Sequence, residues 1–431
     1  MPIYTFAIYL YMICASIAAI FNKKARLLVK GHRAAFRILR EKIRPEEKYI
    51  WVHAASLGEF EQGRTLIERI REAYPQYRIL LTFFSPSGYE VRKNYEGADV
   101  VCYLPFDTYL NACKFLRLVH PCMAFFIKYE FWQNYLTELH KKGIPTFSVS
   151  SIFRPNQIFF RWYGKRYANV LRCFTHLFVQ NETSSKLLKG LGINNATVVG
   201  DTRFDRVMEI AKAARKTEIC DAFIKGMGDG DYLLVAGSSW PQDEKFIIDY
   251  FNNHPEQKLI LAPHVVSDKH LDEIDDKLQR PAVRYSCANP ESVHKSACLI
   301  IDCYGMLSSI YSYGNMAYVG GGFGAGIHNV PEAAVHGLPV VIGPNNKNFK
   351  EAQDLLKKGG CFEIQSAEEY ASIMDKLATD KSFRENAGNI SRNYISENAG
   401  AVDSIFNSID FSNIPAYGTA AEHPEYTGMK K

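Results

Sequence analysis

From Tyr49 onward, short apolar runs alternate with helix-patterned stretches, and that rhythm leaves few folds open. The runs YIWVHAA, YRILLTFF, ADVVCYLP, CMAFFIK, PTFSVSS and THLFVQ are separated by amphipathic stretches, among them residues 59–73, 109–119 and 131–141. Apolar strands separated by helices build βαβ units on a parallel sheet. A charged helical stretch at 206–225 and a glycine-marked break at 226–230 follow, and a second series then begins at YLLVAGSS. A chain of 431 residues exceeds the usual size of one domain, so rhythm and break together predict two α/β domains, 23–205 and 206–411. Residues 1–22 precede them, and the tail 412–431 is expected to be disordered. No G-x-G-x-x-G follows the first strand and no G-x-x-x-x-G-K-[ST] occurs, so dinucleotide dehydrogenases and P-loop enzymes lack their fingerprints here.

The opening stretch IYTFAIYLYMICASIAAIF, residues 3–21, carries no charge. It is about as long as a bilayer-crossing helix needs, roughly 17 to 25 residues. A secretory signal puts basic residues before its apolar run; here Lys23, Lys24, Arg26, Lys30, Arg33, Arg37, Arg40, Lys42 and Arg44 come after it. The pattern predicts a single N-terminal membrane anchor, with both domains cytoplasmic and the basic stretch held against an anionic inner leaflet. A buried or interfacial helix is the alternative, because Tyr, Ser and Cys make the run only moderately apolar.

A net charge of +5 is too mild for a dedicated nucleic-acid binder. Ten cysteines lie scattered without a C-x-x-C pair, as in a reducing compartment. Twelve histidines include no H-x-x-x-H or H-E-x-x-H, so the sequence calls for no metal.

Polar residues collect where strands turn into helices. Ser56, Gly58 and Glu59 follow the first strand, which sets the Glu59 carboxylate above the sheet edge. A carboxylate in a first helical turn also favours the helix dipole, by about 0.3 to 1 kcal/mol, with no further role required. Asn181 and Asp205 read equally well as helix caps. In the second half, Ser238 and Ser239 follow a strand and Pro241 opens a helix, so two hydroxyls and free N–H groups face an anion. The longest such stretch is VGGGFGAGIHNVPEAAVHGLPVVIGPNNKNF at 319–349. Its glycines, Gly320, Gly321, Gly322, Gly324 and Gly326, let backbone N–H groups approach a phosphate, and His328, Asn329 and Glu332 stand at the mouth of a short helix. A second strand and a polar turn at 343–348 lie alongside, and two such turns make the crevice in which open α/β sheets bind ligands.

This stretch resembles the nucleotide-sugar signature of the Kdo transferases, which move 3-deoxy-D-manno-octulosonic acid (Kdo) from CMP-Kdo onto a lipid A precursor. The family's GGSF, GGHNPLEPAA, G-PV and GPH--NF read here GGGF, GAGIHNVPEAA, GLPVV and GPNNKNF, with Ile327 for a glycine and Asn345 for the histidine. WVHAASLGE resembles W-H-S/A-x-S-x-G-E, whose glutamate, the family's proposed general base, falls on Glu59. Residues 128–134 resemble E-T-E-L-W-P-N, keeping Glu130, Trp132 and Asn134 but placing Lys128 at the first glutamate. QNETS and GDTRFD, at 180–184 and 200–205, resemble Q-N-E/S and G-[ST/N]-x-K-[FY]-D, with Arg203 for the lysine. Ser238 and Glu244 fit A-x-S-T-x-x-x-E-E, and His264 stands where L-x-P-R-H-x-E-R has an arginine for the nucleotide phosphate. Asp302, Gly305 and Leu307 fit D-T-x-G-E-L.

The resemblance spans residues 3–405 and implies a GT-B fold, two Rossmann-like domains facing each other across a cleft. It implies an inverting glycosyltransferase of lipopolysaccharide synthesis that uses no cofactor. CMP-Kdo is expected on the second domain, at Ser238, Ser239, His264, Gly305, Gly320, Gly321, Gly322, Asn329 and Glu332. The lipid A precursor is expected on the first, near Ser56, Gly58, Lys128, Glu130 and Arg203, with Glu59 catalytic. A different GT-B lipid glycosyltransferase, a sugar-nucleotide epimerase and an inactive membrane-anchored binding protein are the alternatives.

Overall fold

A computed structural model describes residues 2–214 and 216–412. The chain forms two compact units: the first runs to Arg206 and regains the chain at Gly400, and the second is Val207–Ala399.

The first unit is built on seven parallel strands: β1 (Tyr49–Ala54), β2 (Arg78–Phe83), β3 (Val100–Tyr103), β4 (Pro121–Ile127), β5 (Thr146–Ser151), β6 (His176–Val179) and β7 (Ala196–Val198). Along β1, Tyr49 and Trp51 enter the core on one face while Ile50, Val52 and Ala54 enter that on the other. Burial on both faces is why these strands are continuously apolar rather than alternating. The order is β3-β2-β1-β4-β5-β6-β7, so the chain reverses its direction of travel between β1 and β4.

The second unit repeats the plan with β8 (Tyr232–Ser239), β9 (Gln257–Pro263), β10 (Ala282–Arg284), β11 (Cys298–Ile300), β12 (Met316–Val319), β13 (Val340–Ile342) and β14 (Cys361–Glu363). Its order is β10-β11-β9-β8-β12-β13-β14, with the reversal between β8 and β12. Ligands of open α/β sheets bind at such reversals, beyond the carboxyl ends of the strands. Glu59 follows β1 and Lys128 follows β4; Ser238 and Ser239 end β8, Trp240 follows it, and the glycines follow β12.

The helix Pro2–Phe21 is followed by a second, Lys23–Lys42, capped by the Asn22 side chain, which accepts the Lys24 and Ala25 N–H groups at 2.8 and 3.1 Å. One side of the first helix meets the domain: Tyr4 stacks on Tyr167 and donates its hydroxyl to Asp107, and Tyr11 lies against Phe84 and Phe106. Its other side leaves Ile3, Phe6, Ile13, Ile17 and Ile20 exposed.

The structure adds short elements and moves one domain boundary. The strands β7, β10 and β14 are each three residues long, too short to show a period in sequence. The stretch at 206–225 holds parts of two helices, Thr202–Lys212 and Glu218–Ile224. The second domain does not extend to residue 411, because the helix Ala401–Ser408 returns to the first unit. Gly400 turns there with φ of +100°, its N–H donates to Asp205 at 2.8 Å, and Val402, Ile405, Ile409 and Phe411 fill one face of the first sheet. Apolar periodicity shows that a helix needs a core but not which core. The tail expected to be disordered lies, after Ser412, outside the described residues.

Candidate functional site

At the reversal of the first sheet, Ser56 ends the β1 turn and caps the helix Leu57–Ala73. Its N–H donates to Glu59 Oε2 at 3.0 Å, so the capping role open to Glu59 in the sequence is real. Burial above all, and then the charge of Glu130, push the Glu59 carboxyl above its ordinary value; His53 and the Ser56 and Ala55 N–H groups pull the other way. A carboxyl held partly out of water beside a second carboxylate takes up its proton at higher pH than a free one. A Cβ on Gly58 would meet no protein atom, so the space over this turn is open.

Glu130, by contrast, is engaged through one oxygen by two ring nitrogens. Its Oε2 lies 3.0 Å from His53 Nε2 and accepts the Trp132 indole N–H at 2.6 Å. His53 is itself buried and held through Nδ1 by the Thr82 hydroxyl at 2.8 Å, which also accepts the Trp51 indole N–H. Lys128 follows β4 with φ of +62°, a conformation that costs an ordinary residue about 1 to 3 kcal/mol and persists only where surroundings enforce it. Its N–H donates to Val149 and its carbonyl accepts the Ser151 hydroxyl. Burial, then Arg203, push the Lys128 amine down, while Asp201 and Glu59 oppose the shift. Arg203 is tied by its guanidinium to Asp201 at 2.9 Å. Ser56, Gly58, Glu59, Lys128, Glu130 and Arg203 thus gather at one edge, with His53, Asp201 and Arg154 beside them.

At the reversal of the second sheet, a pocket of about 440 Å³ is lined by Trp240, Pro241, Gln242, Gly321, Gly324, Ala325, Gly326 and His328. The glycines are required by close packing: a Cβ at Gly320 would fall 2.3 Å from the Ser238 carbonyl oxygen, and one at Gly322 would strike Gly343. Ser238 itself sits at φ of +53°. Asn329 donates to Glu332 at 2.7 Å at the mouth of the helix Val330–Ala334. Gly305, at φ of +91°, has open space where a side chain would be.

Two sequence expectations are corrected here. Ser239 does not present its hydroxyl to a ligand: it is buried and donates to Glu244 at 3.0 Å, in a network that includes His270. Nor are all the glycine N–H groups free. Gly320 donates to Gly237, Gly321 to the Asp243 carboxylate, and Gly324 and Gly326 to the Gly321 carbonyl. Among the described residues, the Gly322 N–H has no such partner. Asn345 braces the loop by donating its amide to the Gly324 carbonyl at 2.8 Å.

Sequence reading passed over three residues. His53 hides inside the first strand, where alternation marks it only as buried. Trp240 precedes the Pro241 helix start and reads as a cap. Asp243 reads as a first-turn acid, yet it is buried and accepts from Tyr318, Gly321 and Trp240.

The family described as 3-Deoxy-D-manno-octulosonic-acid transferase (kdotransferase) matches residues 31–206. The 3-deoxy-D-manno-octulosonic acid transferase of Rickettsia prowazekii is 25% identical over 389 residues, 85% of this chain and 81% of its own. That of Rickettsia bellii is 24% identical, covering 89% of this chain and 90% of its own. Among solved structures, the UDP-GlcNAc 2-epimerase of Neisseria meningitidis bound to UDP-GlcNAc aligns with a TM-score of 0.58 at 14% identity, over 83% of this chain and 98% of its own. That likeness concerns the fold, which is of the GT-B class. With a family match over its first domain and transferases aligned along most of its length, the chain is similar in sequence to the Kdo transferases, a family of glycosyltransferases.

Proposed function

We propose that the protein transfers Kdo from CMP-Kdo to a sugar hydroxyl of a lipid A precursor, with inversion at the anomeric carbon. The observation that carries this reading is the turn after β1, where the partly buried Glu59 carboxyl is pushed up by burial and by Glu130, under open space at Gly58. The acceptor oxygen forms a bond to the Kdo anomeric carbon as the bond from that carbon to the CMP phosphate oxygen breaks. The acceptor proton passes to Glu59, and CMP leaves with the bonding electrons. Lys128 and Arg203 supply positive charge on the acceptor side, for the phosphates or the carboxylate of the reacting sugars. In the second unit, Ser238 and the Gly322 N–H hold the donor phosphate, Glu332 and Asn329 the ribose hydroxyls, and the backbone around Gly305 the cytosine edge. His264 puts an imidazole where the family has a guanidinium fork, a weaker phosphate partner.

The exposed apolar side of the helix Pro2–Phe21 and the basic helix after it support attachment to the cytoplasmic leaflet of the inner membrane, where a lipid acceptor is met. Incubating the purified protein with CMP-Kdo and lipid A precursor, and weighing the lipid product, tests the reading. A lipid heavier by one or more whole Kdo residues is expected. Unchanged lipid, or a product carrying a different sugar when other donors are offered, overturns it.

A further inference from the structure

Trp240 Nε1 donates to His328 Nε2 at 3.1 Å, and the two ring planes are only 10° apart with centroids 6.5 Å from each other. A hydrogen bond in the plane of both rings at that separation means that they lie edge to edge. Together they make one flat plate about two rings wide. His264 stacks on both members, 4.6 Å from Trp240 and 4.5 Å from His328, and therefore covers one face of the plate. Trp240 and His328, but not His264, line the pocket with Gly321, Gly324 and Gly326, so the opposite face is the open one.

The plate is held from behind. Buried Asp243 accepts the Trp240 backbone N–H and the Gly321 N–H, both at 2.9 Å, and so ties the end of β8 to the glycine turn after β12. Accepting the indole N–H makes Nε2 of His328 the unprotonated nitrogen, and burial, with His264 beside it, keeps this imidazole below its ordinary value and neutral near pH 7. An uncharged, rigid, flat surface over a floor of glycines is suited to a ring that stacks, not to a bare ion.

We infer that this plate is the platform for the sugar ring of the donor, which lies on it through its C–H face. The inference rests on the proposed donor site and adds the residues that recognise the sugar. Strand order assigns the ring. The backbone proposed to read cytosine follows β11, two strands from β8 and so about 10 Å away. A nucleotide reaching from there brings its phosphate to the ends of β8 and β12, and the group beyond the phosphate is the sugar.

Binding of CMP by calorimetry and the KM for CMP-Kdo, measured on wild type, Trp240→Ala and Trp240→Phe, test the platform. Trp240→Ala is expected to leave the CMP dissociation constant within about twofold and to raise the CMP-Kdo KM about tenfold; Trp240→Phe, which keeps a ring but not the N–H, should raise it by about threefold. Trp240 is 38% exposed, so both variants should fold, with matching thermal melts as the check. Equal weakening of CMP and CMP-Kdo would assign the plate to the nucleobase and overturn the inference, as would no change in either. A wild-type protein that binds CMP-Kdo no better than buffer would instead remove the donor reading itself, and the platform with it.

Discussion

His53 Nε2 lies 3.0 Å from Glu130 Oε2, and this contact separates the roles of the two carboxyls at the first reversal. Glu130 is spent on His53 and Trp132, whereas Glu59 stands nearby under its repulsion. Removing a negative neighbour favours ionisation, so Glu130→Gln should lower the Glu59 value. Activity that needs ionised Glu59 would then persist to lower pH. The acid limb of the kcat/KM profile is expected to move downward in the variant, and an unmoved or raised limb would detach Glu130 from the base.

Glu332 should matter for the nucleotide and not for the acceptor. Its carboxylate accepts from Asn329 at 2.7 Å and, in the proposed donor site, is the acceptor for two ribose hydroxyls. Losing one or two such bonds should weaken CMP binding in Glu332→Ala by about tenfold or more. Calorimetry reads this directly, and an unchanged affinity would take Glu332 out of the site.

Asp107 links the first helix to the domain and should make stability depend on pH. It is buried, accepts the Tyr4 hydroxyl and the Asn134 and Tyr135 N–H groups, and burial pushes its carboxyl up to about 6. A carboxyl raised above its unfolded value, near 3.9, binds its proton more tightly in the folded state. Stability should therefore rise as pH falls through about 6 toward 4, by an amount on the order of 2 to 3 kcal/mol. Denaturant unfolding of wild type and Asp107→Asn across this window should show the slope in the first and not in the second. Parallel curves would contradict it.

Removing residues 1–22 should shift the protein from the membrane to the soluble fraction, because the exposed apolar side of the first helix goes with them. A truncated protein that still sediments with membranes after a high-salt wash would transfer the anchoring role elsewhere.

Both sheets were legible because buried parallel strands are written as whole apolar runs. Their three-residue edge strands were not, and neither was the return of Val402 to Phe411 to the first core, since a helix's apolar face does not name its partner. At the site, the turns carrying Glu59, Ser238 and the glycines were found from strand-to-helix punctuation alone. Their hydrogen bonding was not: that Ser239 serves Glu244 depends on how β8 turns into its helix, and that Gly321 serves Asp243 depends on a neighbour 78 residues away. The Trp240–His328 pair, 88 residues apart, was hidden for the same reason.

The role of Glu59 as the base that accepts the acceptor proton is tested most directly by the Kdo-transfer rate of Glu59→Gln, with CMP binding measured on the same sample. The amide keeps the size of the side chain and one acceptor oxygen for the Ser56 N–H but cannot take the proton. Turnover is expected to fall by about 10² to 10⁴, with near-normal CMP affinity. Transfer at the wild-type rate in Glu59→Gln, together with its abolition in Glu130→Gln, would contradict the assignment and move the base to the segment after β4.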